Sequence, residues 1–450
     1  MPISPARQLA RDVLLEVDQR QGYASDLLHS SLGRGLKLAD RRLATEIVMG
    51  VLRWRAQLDY VIELAARRPV HRIDPLALAA LRIGVYQLRF LTRVPAMAAV
   101  HESVEMMKPA QPRLAGFVNA VLRHVSPEPI TALLAAELDL GRRREIEFSH
   151  PAWLLERWSR NYGPDAADRI AEYNNRTPPT AIRLGAGLGA DFARAELALA
   201  PELTLEPGRI LTAARRVVKG DITKTALFRE GGAAVQDEAS QLIAYLLEPQ
   251  PRHRILDACA APGGKAALLR ALAPEAYLVA VEFHGHRARR LRRLLSPDAL
   301  THVVGADASR PLPFNRLFDR VLVDAPCTGT GTLARNPEIR WRLTPEDPAR
   351  MALLQKTILT RAAASLAPGG RLVYSVCSIE PEEGREVVSA ALDADPALTL
   401  RPAASVLDAL RAAGHLRDAG PPLAAGSYLE VLPGAAATDG FFAAVIERRG

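Results

Sequence analysis

Between residues 254 and 378, five β-rich runs recur with helical spacing between most of them. They are RILDACA (254–260), AYLVAVEF (276–283), THVVGAD (301–307), FDRVLVDAP (318–326) and RLVYSVCS (371–378). Stretches of helical period occupy 264–273, 285–295 and 349–366. Short buried strands alternating with helices predict a parallel sheet with right-handed crossovers, covered on both faces. YLEVLP (428–433) and FFAAVIERR (441–449) add an antiparallel hairpin at its edge.

In such a sheet, ligands bind beyond the C-terminal ends of the strands. Asp257 ends the first run, Glu282 the second, Asp307 the third and Asp324 the fourth. An acid after the second strand can accept from both hydroxyls of a ribose. The first strand opens into a turn and helix through Pro262, Gly263 and Gly264. Glycine permits close approach of the backbone to a ligand, and a helix N-terminus offers free N–H groups. The spacing is neither G-x-G-x-x-G nor G-x-x-x-x-G-K-[ST], which disfavours a nicotinamide dehydrogenase and a P-loop nucleotide site.

The chain has three cysteines: Cys259 in that turn, Cys327 after the fourth run and Cys377 ending the fifth. If the last two strands are adjacent and parallel, Cys327 and Cys377 meet at one edge. Two thiols facing a ligand crevice suit nucleophilic chemistry. None form C-x-x-C, so no metal site is expected.

Residues 5–125 carry apolar residues at three- and four-residue intervals, as in Leu43, Ile47, Val48, Val51 and Leu52. This predicts a helical domain of five to seven helices, with Asp40 and Asp74 as N-caps. Residues 130–230 read as a small α+β subdomain with one helix from Trp153 to Tyr173. Domain boundaries are therefore expected at 1–126, 127–231 and 232–450. The net charge of +8 is concentrated in residues 1–125, which hold 18 Lys and Arg against 11 Asp and Glu. That surplus points to a polyanion such as RNA. Arg41, Arg42, Arg53 and Arg55 are candidate phosphate contacts. Arg335, Arg340 and Trp341 interleave charge and aromatic surface in a way that suits RNA. Arg287, Arg289, Arg290, Arg292 and Arg293 read first as a solvated helix face. No apolar run reaches membrane-spanning length and the N-terminus lacks a signal-peptide core, so a monomeric cytoplasmic protein is expected.

DACAAPGGKA, FDRVLVDAPCTGTGTLARNPEIRW and LVYSVCSIEPEEG together resemble the S-adenosylmethionine-dependent RNA cytosine-5 methyltransferases. DRRLATEIVMGVLRWRAQLDYVI and GFVNAVLRHV resemble a NusB-type RNA-binding domain, and the composite is similar to the bacterial enzymes acting on small-subunit (16S) ribosomal RNA. The resemblance implies a Rossmann-like class I methyltransferase domain behind the helical and linking domains. It implies Cys377 as nucleophile, Cys327 as the group that assists product release, and Asp324 beside the base. S-adenosylmethionine would lie against Cys259, Ala260, Ala261, Pro262, Gly263, Gly264, Lys265, Glu282, Asp307 and Asp324. Transfer RNA as substrate, and a non-catalytic RNA-binding assembly factor, are the competing readings.

Overall fold

The computed structural model describes residues 3–20, 22–30, 35–184, 202–296, 298–418, 420–435 and 437–450. The chain divides into two compact units, Met1–Thr177 with Leu333–Leu343, and Pro178–Thr332 with Thr344–Gly450. The expected linking segment 127–231 thus contributes its helices up to Asn174 to the first unit, and its strands with the short helix Ala226–Arg229 to the second.

The first unit is helical. Pro5–Arg20, Leu38–Arg53, Arg55–Ala66, Ala96–Glu105 and Ala115–Arg123 surround Pro75–Phe90, which is buried on nearly every side from Ala77 to Gln87. Asp74 caps that helix as expected, accepting from the N–H groups of Leu76 and Ala77, with Pro75 in the first turn. Asp40 is not a cap, because its helix starts earlier, at Leu38. The long helix expected from Trp153 to Tyr173 is two, Ala152–Tyr162 and Pro164–Asn174. Gly163, at φ +84°, makes the break before Pro164. Trp158 is wholly buried there, a packing residue.

Leu333–Leu343 folds as part of this helical unit, which corrects three expectations. Arg340 is fully buried. Its guanidinium donates to the carbonyls of Ser149 (3.1 Å), Asn174 (3.0 Å) and Leu333 (3.3 Å) and to Oδ1 of Asn175 (2.8 Å). Trp341 is partly buried, and its indole N–H donates to the Leu52 carbonyl at 2.7 Å. Arg53 is buried too and donates to the Ala334 carbonyl at 3.2 Å. Arg340 and Arg53 are thus buried against internal acceptors, and the indole N–H of Trp341 is spent on one, so none of their N–H groups in these bonds is left for RNA. Arg55 is ion-paired with Asp18 at 2.9 Å. Arg41 and Arg42 are exposed, and Arg335 is partly buried.

The second unit holds two sheets. β1 (Thr180–Leu184), β2 (Thr204–Pro207), β3 (Ala214–Lys219) and β4 (Ala233–Val235) form an antiparallel sheet in the order β2-β3-β1-β4. The larger sheet contains β5 (Arg254–Asp257), β6 (Tyr277–Glu282), β7 (Thr301–Gly305), β8 (Phe318–Asp324) and β9 (Leu366–Val376), all mutually parallel in the order β7-β6-β5-β8-β9. β10 (Leu398–Arg401), β11 (Ala424–Ala425), β12 (Tyr428–Val431) and β13 (Phe441–Arg448) complete it with antiparallel pairings, β13 lying directly beside β9. Both faces are covered. Ile255, Leu278, Leu322 and Val373 face one apolar cluster with Leu242, Leu269 and Leu291. Leu256, Val279, Val321 and Leu372 face the other with Ile358, Leu359 and Val388. Period-two burial on both faces is what a doubly covered parallel sheet requires. Strand order reverses at β5, so the crevice falls beyond the C-terminal ends of β5 and β8.

Candidate active site

Every chemistry-bearing residue expected from the strand ends lies at the C-terminal edge of the parallel strands. β8 and β9 are in register with Asp324 opposite Ser375, and the next residues of each chain lead to Cys327 and Cys377. Their sulfurs are 3.3 Å apart. Cys259 belongs to the neighbouring turn after β5 and packs, like Cys327, against the apolar cluster that includes Leu256 and Val321, whereas Cys377 packs against the opposite cluster.

Asp324 is held from two sides. Oδ2 pairs with Lys265 Nζ at 2.7 Å, and Oδ1 accepts from Ser375 Oγ at 2.9 Å. The Lys265 ammonium also sits 5.2 Å above the Phe441 ring. Burial alone would lower the lysine pKa, but the Asp324 ion pair outweighs it and holds the ammonium above the usual lysine range. Lys265 is therefore a fixed positive charge in the crevice.

The Cys327 thiol is pushed well above the usual range, first by its hydrogen bond with Cys377 and then by burial. It stays a thiol at neutral pH, within hydrogen-bond reach of the Cys377 sulfur. Cys259, partly buried, is also pushed up, by burial and then by Asp257, which disfavours the thiolate a nucleophile needs.

The turn after β5 fits a close-lying ligand. Gly263 has φ +111°, and a Cβ there would meet side-chain carbons of Leu294 and Leu291 at 2.6 and 2.7 Å. Only glycine fits this position, and the helix Gly264–Leu272 starts directly behind it. Asp257 is buried, and its Oδ1 accepts from Cys259 N–H while Oδ2 has no partner. A buried carboxylate oxygen left open in this way fits an amine or hydroxyl of a ligand. Glu282 accepts from His284 N–H at 2.6 Å, and Asp307 from the N–H and hydroxyl of Ser309 at 2.9 and 2.6 Å. Those Ser309 bonds hold Asp307 below the usual carboxylate range, so it stays ionised and accepting.

Burial, reinforced by the charge of Asp324, pushes Asp257 up to about 7. In the unfolded chain an aspartate titrates near ~3.9. A folded pKa above the unfolded one contributes stability at low pH that is lost as pH rises toward and through 7. Asp257→Asn removes this loss. In the ligand-free protein the melting temperature of the variant should rise relative to wild type between pH 5 and 8. The gain is at most about 1.4 kcal/mol per pH unit. Parallel thermal scans at fixed ionic strength check this; curves that stay parallel would mean Asp257 is ionised throughout.

The residues that support the thiols carried no signal of their own in the sequence. Thr328, Gln355, Ser375, Ser378 and Glu383 are ordinary polar residues read singly, although Thr328 lies within FDRVLVDAPCTGTGTLARNPEIRW and Ser375, Ser378 and Glu383 lie within LVYSVCSIEPEEG. Gly331 is similar: its N–H donates to the Cys377 carbonyl at 3.1 Å, and a Cβ would meet the Gly440 carbonyl oxygen at 2.2 Å.

Residues 244–447 match the family model described as 16S rRNA methyltransferase RsmB/F, and residues 4–127 match the NusB family. Residues 150–186 match the RsmF/B-like ferredoxin-like domain. The chain is 34% identical to the probable ribosomal RNA small subunit methyltransferase B of Bacillus subtilis, covering 100% of each chain. It is 35% identical to ribosomal RNA small subunit methyltransferase B of Vibrio cholerae, over 91% of this chain and 90% of that one. Among solved structures it is similar in fold to PH0851, with a TM-score of 0.81, 24% identity and complete coverage of both chains.

Proposed function

The chain belongs to the 16S rRNA methyltransferase RsmB/F family, and on that footing we propose that it transfers a methyl group from S-adenosylmethionine to carbon 5 of a cytidine in small-subunit (16S) ribosomal RNA. The observation that carries the reading is the pair of sulfurs 3.3 Å apart at the ends of adjacent parallel strands, beside the Lys265–Asp324 ion pair.

S-adenosylmethionine supplies an electrophilic methyl group on a sulfonium. Asp257, Glu282 and Asp307, with the Gly263–Lys265 turn, hold it. Carbon 5 of cytosine is a weak nucleophile until a thiolate adds to carbon 6. Cys377 makes that bond, and the electrons of the ring double bond move toward carbon 5 while Asp324 shares the proton at the ring nitrogen. Once carbon 5 carries the methyl group and S-adenosylhomocysteine is the leaving group, a base takes the carbon 5 proton, the electrons of that C–H bond re-form the ring double bond, and the carbon–sulfur bond breaks so that Cys377 departs as thiolate. Cys327 assists this release. Carbons 5 and 6 are bonded neighbours, so two sulfurs in van der Waals contact can serve both from one side of the ring. The target cytidine leaves any stack to reach the site.

Tritium transfer from labelled S-adenosylmethionine to 16S ribosomal RNA and to transfer RNA, followed by nucleoside analysis, tests the reading. Label in 5-methylcytidine of 16S RNA is expected. Label confined to transfer RNA would change the substrate, and binding of RNA without label would favour an assembly factor.

The exposed Arg41 and Arg42 are proposed phosphate contacts. Arg41→Glu and Arg42→Glu should each weaken RNA affinity across sequences and flatten the log–log salt dependence by roughly one unit per lost contact. Filter binding between low and moderate salt measures both, and an unchanged slope would remove these residues from the interface.

A further inference from the structure

The two thiols lie beyond the last paired residues of β8 and β9, where nothing in a parallel ladder fixes the spacing of the following loops. One buried side chain fills that gap. Glu383 is fully buried, and its carboxylate accepts four hydrogen bonds. Oε2 takes the N–H of Thr328 at 2.9 Å and the amide of Gln355 at 2.8 Å. Oε1 takes the hydroxyl of Ser378 at 2.6 Å and the hydroxyl of Thr328. Thr328 directly follows Cys327, and Ser378 directly follows Cys377. The same Gln355 amide also donates to the Pro326 carbonyl at 2.8 Å, on the other side of Cys327. Tyr374, on β9, donates to the Glu383 carbonyl at 2.6 Å, which anchors the glutamate's own backbone.

Both residues flanking Cys327, and the residue after Cys377, are thus tied to one carboxylate. A buried carboxylate without a directly paired cation costs free energy that a neutral or apolar residue would not. What it supplies in return is four short, directional, charge-assisted bonds in one rigid cluster. We infer that Glu383 is a positioning residue, which sets the spacing of Cys327 and Cys377 and so couples covalent addition to product release. The inference rests on the roles proposed above for the two thiols, and it concerns a residue that touches neither substrate nor cofactor.

Glu383→Gln keeps the volume but replaces one acceptor oxygen with an amide that faces donors. The variant should bind S-adenosylmethionine within about twofold of wild type while turning over RNA at least tenfold more slowly. The slow step should be release, so a denaturant-resistant protein–RNA adduct should accumulate. A general structural defect would instead lower adduct and product together. A second readout depends on geometry alone. Diamide oxidises two neighbouring thiols to a disulfide, taking up their two electrons and two protons, and mass spectrometry follows the Cys327–Cys377 crosslink. Wild type should crosslink readily and Glu383→Gln at least tenfold more slowly. Thr328→Val, which deletes one hydroxyl donor, should show a milder defect that Thr328→Ser restores, and this pair serves if the Glu383 variant folds poorly. Crosslinking at the wild-type rate in both Glu383→Gln and Thr328→Val, or unchanged release, would overturn the inference. Failure of Cys327→Ala to trap an adduct would overturn the thiol assignment instead, and the crosslinking rates would still decide the role of Glu383.

Discussion

Cys377→Ala abolishes methyl transfer, lowering the single-turnover rate by at least about 10⁴-fold, the scale at which loss of a covalent nucleophile is felt. The reason is electronic. Without a sulfur bonded to carbon 6, carbon 5 stays part of an aromatic ring and does not attack a methyl sulfonium. The cofactor crevice should survive, because its residues sit at the ends of β5, β6 and β7 and in the turn at Gly263, and the Cys377 sulfur hydrogen-bonds to Cys327 rather than to them. Binding of S-adenosylmethionine by calorimetry should therefore stay near wild type while labelled methyl transfer falls to background. A Cys377→Ala protein that still methylates 16S RNA would assign the nucleophile elsewhere.

Cys327→Ala gives the opposite phenotype. Addition proceeds, since Cys377 is intact and the Lys265–Asp324 ion pair is unchanged. Release does not, because the group in contact with the departing sulfur is gone. The protein should stop after about one turnover and carry its RNA through denaturing electrophoresis as a slow-migrating band. The Cys327→Ala, Cys377→Ala double variant should show no such band. Normal turnover of Cys327→Ala with no adduct would mean the thiol is a packing residue, the ordinary fate of a partly buried cysteine.

The arrangement behind both predictions was legible in the sequence because it follows from topology. Once five β-rich runs are read as parallel strands, their C-terminal residues must share an edge, and Asp257, Glu282, Asp307, Asp324 and Cys377 fall into line. Adjacency of β8 and β9 then brings Cys327 and Cys377 together. What the sequence concealed was burial. Arg340 and Trp341 have the composition of an RNA contact, yet the segment that carries them folds into the helical unit, where the Arg340 guanidinium NH groups and the Trp341 indole N–H donate to internal oxygens. Local pattern records polarity and not the side to which a loop turns. Glu383 was hidden for the converse reason. A glutamate in an acidic run reads as solvated surface, and its function comes from donors that lie far apart in the chain, at Thr328, Gln355 and Ser378.

The eleven residues from Leu333 to Leu343 bear on any attempt to dissect this protein genetically. A gene fragment ending at Thr177 encodes most of the helical unit but omits the piece that satisfies its inner carbonyls at Leu52, Ser149 and Asn174. Each such acceptor left dry costs about 1–3 kcal/mol, a large share of the stability of a domain this size. A soluble N-terminal fragment calls for grafting the missing peptide back, by circular permutation or by supplying it in trans, and deletion libraries that ignore it will score the unit as unfoldable.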